Sequence, residues 1–159
     1  MASRIVVADD DLDTVDTLVQ LLRREGYEAR GVYQGADVLN AICDFAADVV
    51  LLDIGMPNMS GYEVARDLRH RYGSARPFLV AFTGRNDEGD QRLARLAGFD
   101  RYLRKSGSPE ALLALLSEVS RRSGQKGPAG GPADRPASPG EGQSPPPAIA
   151  ADPPPDPSR

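Results

Sequence analysis

The chain has one cysteine among its 159 residues, Cys43, so no disulfide can close within it, and a reducing compartment fits. Cys43 falls on the apolar side of an expected helix and is read as a core residue, not a reactive thiol. There is also one histidine, His70, in the charged stretch RHRYG, where it reads as an exposed neighbour of arginines. No apolar run approaches the roughly 18 residues needed to span a bilayer. The N-terminus enters a strand at once, without a signal peptide, so a cytoplasmic protein with no membrane partner is expected. Positive and negative residues interleave around a net charge of −4. That leaves no basic stripe for direct nucleic-acid binding.

Large aliphatic residues run out before the chain does. From Gly124 to Arg159 there is one, Ile149, among eleven of the 14 prolines and six of the 16 glycines. Such a segment buries too little apolar surface to offset its ordering entropy, so residues 124–159 are expected to be a disordered tail and residues 1–123 the domain. Pro136–Pro139 and Pro154–Pro157 match P-x-x-P, a weak signal in so proline-rich a stretch, and a flexible terminus is the preferred reading. No helix-turn-helix or catalytic domain follows residue 123. The start methionine is taken to mark a stand-alone protein.

Residues 1–123 contain strand and helix patterns in alternation. RIVVA (4–8), EARGV (28–32), residues 48–52, FLVAF (78–82) and DRYLR (100–104) read as strands. Between them, apolar residues recur at helical spacing: Val15, Leu18, Val19 and Leu22, then Val38, Leu39 and Ile42 within 36–45, then Val64, Ala65 and Leu68 within 62–72. Leu93 and Leu96 are the expected inward residues of a helix over 87–97. Leu112, Leu113, Leu116 and Val119 serve a last helix over 109–122, with Pro109 in its first turn. Strands apolar throughout, alternating with amphipathic helices, imply an α/β fold: a doubly wound parallel sheet covered on both faces. Ligands of such sheets bind beyond the carboxyl ends of the strands.

The residues at those ends are chemically complementary. Asp9, Asp10 and Asp11 follow the first strand, Asp53 the third, Thr83 and Gly84 the fourth, and Lys105 the fifth. Converging carboxylates repel one another without a cation, and hard oxygen ligands beside a phosphate site suit Mg²⁺. A lysine and a hydroxyl at the same rim suit phosphoryl oxygens. Taken singly, the aspartates could serve a helix N-terminus, Thr83 could be an ordinary strand-end hydroxyl, and Lys105 could be solvated. Taken jointly, they describe a carboxylate, Asp53, that accepts a phosphoryl group, with a metal, Lys105 and Thr83 neutralising charge.

RIVVADDD, VVLLDIGMPNMSGYEVARDLR, FLVAFTG and AGFDRYLRK, in this order and spacing, closely resemble the receiver domain of bacterial two-component response regulators over residues 3 to 120. The resemblance implies a flavodoxin-like sheet of order 2-1-3-4-5 with five helices, in a single-domain response regulator that is not an enzyme beyond assisting its own phosphorylation and dephosphorylation. It implies phosphotransfer to Asp53 from the phosphohistidine of a sensor histidine kinase, and the expected output is protein–protein contact or relay of the phosphoryl group to a histidine phosphotransfer protein. Asp9 and Asp10 match the acidic pair that joins Asp53 in binding Mg²⁺, and the Gly55 carbonyl matches the backbone ligand. Thr83 matches the switch hydroxyl, Tyr102 the aromatic that turns with it, and Lys105 the phosphate-pairing lysine, with Gly84 beside them. The face made by the fourth helix, fifth strand and fifth helix is the expected output surface toward a downstream protein.

Two departures stand out. Receivers usually follow the lysine with a proline in a cis bond, and here Ser106 stands in its place. A non-proline cis bond costs about 2.5–4 kcal/mol, so weaker or retuned phosphorylation is expected. Arg85, two past Thr83, is placed to guard the site's entrance. Rival readings exist. Asp11-Leu12-Asp13-Thr14-Val15 fits a haloacid-dehalogenase-type phosphatase motif, but its first aspartate lies two residues past Asp9, inside the turn, rather than at the strand end. Asp9, Asp11 and Asp13 have EF-hand spacing, but Thr14 stands where the loop needs glycine. A receiver fold used as a phosphorylation-independent adaptor is the remaining alternative, supported by Ser106.

Overall fold

A computed structural model describes residues 2–74, 76–84 and 87–125. Strands and helices alternate: β1 (Arg4–Ala8), α1 (Leu12–Arg24), β2 (Glu28–Val32), α2 (Gly35–Phe45), β3 (Val49–Leu52), α3 (Gly61–Tyr72), β4 (Phe78–Thr83), α4 (Glu88–Ala97), β5 (Arg101–Arg104) and α5 (Pro109–Gln125). The strands form one parallel sheet in the order β2-β1-β3-β4-β5, as the family resemblance implied. β3 is buried at every position, which is why VVLL carries no alternation.

Successive strand residues point to opposite faces, so the sheet feeds two cores. Val6, Ala8, Val50, Leu52, Leu79 and Ala81 meet α2 and α3 through Val38, Ile42, Val64 and Leu68. Ile5, Val7, Leu51 and Val80 meet α1 and α5 through Val15, Leu22, Leu116 and Val119. The register aligns Ala8 with Leu52, Leu52 with Ala81 and Thr83 with Arg104, so the carboxyl ends of four strands open on one rim.

Helix ends are chemically marked. Ser60 and Glu63 form a reciprocal capping box at the start of α3, with Glu63 Oε2 accepting from Ser60 N at 2.8 Å. The carboxyl of Glu63 is held below its ordinary range chiefly by that backbone hydrogen bond. Gly98 ends α4 with φ +107°, and Arg69 Nε donates to its carbonyl at 2.8 Å. Arg69 also donates to Pro77 O at 3.0 Å and pairs with Asp100 Oδ2 at 2.7 Å. The same Asp100 oxygen accepts from Leu79 N at 2.8 Å, so this pair ties the end of α3 to the starts of β4 and β5.

Two expectations about packing are corrected. Cys43 is exposed. α2 buries Val38, Ala41 and Ile42, and one further step of about 100° carries Cys43 off that stripe to a contact with the Tyr72 hydroxyl. α4 presents Ala94 and Ala97 inward, leaving Leu93 49% and Leu96 75% exposed. The spacing of three was right, but the register was off by one residue. Alanines let α4 lie close to the sheet where Phe99 and half-buried Tyr102 already fill the space.

α5 runs to Gln125, three residues beyond the expected 122. Arg122 pairs with Glu118 one turn back at 2.6 Å. The expected disordered tail, beyond that helix, and Arg85 lie outside the described residues. Among those residues the one cis peptide is Arg76–Pro77, so the bond from Lys105 to Ser106 is trans. His70 is exposed on α3, as expected. No helix among the described residues is long and apolar enough to cross a membrane.

Candidate functional site

The parallel ladder continues one residue past each strand and so fixes the backbone of the rim. Asp9 N donates to Val32 O at 3.1 Å, Asp53 N to Ala8 O at 2.9 Å, and Lys105 N to Thr83 O at 2.9 Å. Among the described residues, Asp9 (2%), Asp53 (6%) and Thr83 (1%) are the buried polar ones, while Asp10 beside them is exposed. One carboxylate oxygen from each of Asp9, Asp10 and Asp53 lies within 4.8 Å of the other two. The strand ends therefore bring together the three carboxylates that the sequence singled out.

Lys105 reaches into this cluster. Its Nζ lies 2.5 Å from Asp9 Oδ2 and 3.6 Å from Asp53 Oδ2. Burial works against its charge, but the close contact with Asp9 and the charges of Asp53 and Asp9 outweigh it, raising its pKa. Burial raises Asp9 above the ordinary carboxylate value, while Lys105 and the Asp11 N–H pull the other way. Lys105 meets Asp9 Oδ2 as an ion pair. The charge is matched, but that fully buried oxygen keeps lone pairs that no donor satisfies. A buried anionic oxygen in this condition, flanked by two further carboxylates, fits a divalent cation with hard oxygen preference.

Thr83 ends β4. Alternation puts it on the same sheet face as Ala81, which sits in register with Tyr102. Tyr102 is half-buried against the α2–α3–α4 core. Gly84 is exposed at the rim, and a Cβ there would meet nothing within 4 Å. Gly55 is also exposed, and its hypothetical Cβ would lie 3.8 Å from Asp53 Oδ2, so this stretch of backbone runs beside the carboxylate.

Sequence reasoning missed Gly61, although it lies in the stretch quoted for the motif. Gly61 N donates to Ile54 O at 3.0 Å, folding the loop after β3 back on itself. A Cβ at Gly61 would overlap the Asp53 carbonyl oxygen and come 2.8 Å from Ile54 Cα. Asn58 assists with φ 66°, a left-handed conformation that asparagine tolerates better than most residues. The signal was present as Ser-Gly before a helical pattern, but a helix-starting glycine does not announce what it packs against. Asp11 belongs to another task. It is exposed and caps α1, accepting from Asp13 N at 3.1 Å and Thr14 Oγ1 at 2.8 Å. With Leu12 and Asp13 already helical, no continuous EF-hand loop exists here.

Comparison with known proteins agrees with this arrangement. Residues 5–117 match the family described as the response regulator receiver domain. The transcriptional regulatory protein GltR of Pseudomonas aeruginosa is 33% identical over 118 residues, covering 74% of this chain and 49% of that protein. The chain thus spans about half the length of this curated relative. A CheY-like response regulator receiver domain protein from Methanospirillum hungatei superposes with TM-score 0.72 at 26% identity, over 80% of this chain and 100% of that one. The BeF3-activated N-terminal receiver domain of Klebsiella pneumoniae RstA gives TM-score 0.70 at 26% identity, over 75% and 99%. Carried by the family match and by the fold, the conclusion is that this chain belongs to the receiver domains of two-component response regulators.

Proposed function

We propose that Asp53 accepts a phosphoryl group from the phosphohistidine of a sensor histidine kinase or a histidine phosphotransfer protein, and that the chain passes the resulting change to a downstream protein. The observation that carries this reading is the placement of Asp9, Asp10 and Asp53 around one point with the Lys105 ammonium among them. In the transfer, an Asp53 carboxylate oxygen attacks phosphorus, the P–N bond breaks, and the imidazole leaves with its electron pair. Asp9, Asp10, Asp53 and the Gly55 carbonyl would hold Mg²⁺, which when bound supplies positive charge for the phosphoryl oxygens.

The remaining steps belong to the chain's own side chains. Lys105 exchanges its Asp9 contact for a phosphoryl oxygen. Thr83 donates its hydroxyl to another, with Gly84 leaving room beside it. Tyr102, on the same face, follows Thr83 inward. The phosphoryl group brings a charge of about −1.5 to −2, enough to bias a two-state rim. The trans bond after Lys105 gives the β5–α5 loop a course without the proline usual in receivers, which favours a retuned rather than an absent response.

Intact mass after incubation with Mg²⁺ and acetyl phosphate tests the reading. The wild-type chain should gain one phosphoryl group and the Asp53→Asn chain none. No adduct on either, even with a kinase supplied, would turn the reading toward an adaptor that binds without phosphorylation.

A further inference from the structure

The cap of α1 and the acidic rim share one peptide group. The Asp11 N–H donates to Asp9 Oδ1 at 3.0 Å. The Asp11 carboxylate turns the other way, accepting from Asp13 N at 3.1 Å and from Thr14 Oγ1 at 2.8 Å. These bonds hold Asp11 in the extended conformation of a capping residue, with φ −82° and ψ 108°. Asp11 is not one of the three carboxylates that converge on the rim, and both of its oxygens serve the helix. Its backbone nonetheless holds the first of the three.

Asp9 is fixed at two points. Its own N–H is bound to Val32 O at 3.1 Å, which sets the backbone. Its Oδ1 is held by the Asp11 N–H, which sets the plane of the carboxylate. With one oxygen anchored, the other faces Lys105 Nζ, which also meets Asp53. That second oxygen, Oδ2, is the fully buried atom that no hydrogen-bond donor satisfies. Without the donor on Oδ1, the carboxylate could rotate and offer Lys105 both oxygens, and the oxygen aimed into the rim would be lost. The N–H in question belongs to the peptide that begins at Asp10, so the cap also orients the backbone of a second rim carboxylate.

We infer that Asp11 is a positioning residue: by capping α1 it holds the Asp10–Asp11 peptide against Asp9 Oδ1, and so keeps Asp9 Oδ2 aimed at the divalent cation. The inference rests on the phosphoacceptor reading and deepens it. The role is one of placement, not of a ligand and not of a local charge.

Titration of the full chain with MgCl₂, followed by the NMR shifts of the Asp53 and Lys105 amides, tests it in wild type, Asp11→Asn and Asp11→Ala. Asparagine keeps the cap without the charge, since it accepts from Asp13 N and can donate to Thr14 Oγ1. Alanine removes both cap and charge. Asp11→Ala should raise the Mg²⁺ Kd roughly three- to tenfold. The exposed charge of Asp11 is screened by salt, so Asp11→Asn should stay within about twofold of wild type. Melting curves without Mg²⁺ establish that each chain is folded at the titration temperature. Asp11→Gly, which loses the same two bonds at a smaller cost in helix stability, gives the same reading should Asp11→Ala melt too early. A cap that serves only the helix would lower the melting temperature of Asp11→Ala and leave its Mg²⁺ Kd at the wild-type value, and that result overturns the inference. So does an Asp11→Asn chain that binds as weakly as Asp11→Ala, because the effect would then be one of charge. If wild type shows neither Mg²⁺-dependent shifts at the rim nor an adduct on Asp53, the phosphoacceptor reading falls and the positioning role with it. If wild type shows both and Asp11→Ala matches it, only the positioning role falls.

Discussion

At Gly61 the tolerance of the fold for a single methyl group is set by the site rather than by the core. The added Cβ would meet backbone atoms of Asp53 and Ile54, which cannot step aside as a flexible side-chain tip can. Gly61→Ala is therefore expected to displace Asp53 and to lower both stability, by about 1–3 kcal/mol, and the yield of acetyl-phosphate adduct. Urea denaturation beside intact mass reads both. Unchanged adduct yield would show that the Asp53 carboxylate is positioned without help from this contact. The residues of this rim were differently legible. Asp9, Asp10, Asp53, Thr83 and Lys105 could be read because a parallel sheet sends its strand ends to one edge, so one-dimensional order predicts convergence. Gly61 could not, because close approach is a property of the folded loop. Arg69 and Asp100 were missed for a related reason. They are separated by 31 residues, and nothing in either local pattern marks a charge that will be drawn inside.

Among the elements, α1, α3 and α5 carried their inward faces in plain view, since their buried residues are large aliphatics at helical spacing. α4 did not. Choosing Leu93 and Leu96 follows from size, but the helix turns its alanines Ala94 and Ala97 in. Cys43 was misplaced in the same way, by one position around a helix whose stripe ends at Ile42. These registers have opposite energetic consequences. Leu68→Ala, emptying a fully buried position of α3, should cost about 2–5 kcal/mol in denaturant unfolding. Leu96→Gln on α4 should change stability by no more than about 0.5 kcal/mol. A cost for Leu96→Gln near that of Leu68→Ala would mean that its side chain is covered in solution.

For the whole molecule, the acidic rim should make stability depend on a divalent cation. Asp9 is buried with an oxygen that its lysine partner does not fully satisfy. A cation that binds the folded chain and not the unfolded one stabilises it by mass action, by roughly 1.4 kcal/mol at tenfold excess over its Kd. Mg²⁺ should therefore raise the melting temperature of wild type by a few degrees. The gain should shrink in Asp53→Asn, which removes one of three carboxylates. Equal gains in both chains would place the cation elsewhere. The fold class and the composition of the rim followed from pattern, and the strand order from the family resemblance, because each depends on many residues at once. The details that escaped depend on one or two.

The shallow seat of α4 also bears on the thermodynamics of switching. Heat-capacity changes track the apolar area that enters or leaves water, and a helix whose buried side chains are two alanines would exchange little of it in a switching movement. The conformational step should therefore have a nearly constant enthalpy across the growth range, giving a straight van't Hoff plot. A receiver built this way would report its chemical input with little distortion from ambient warmth.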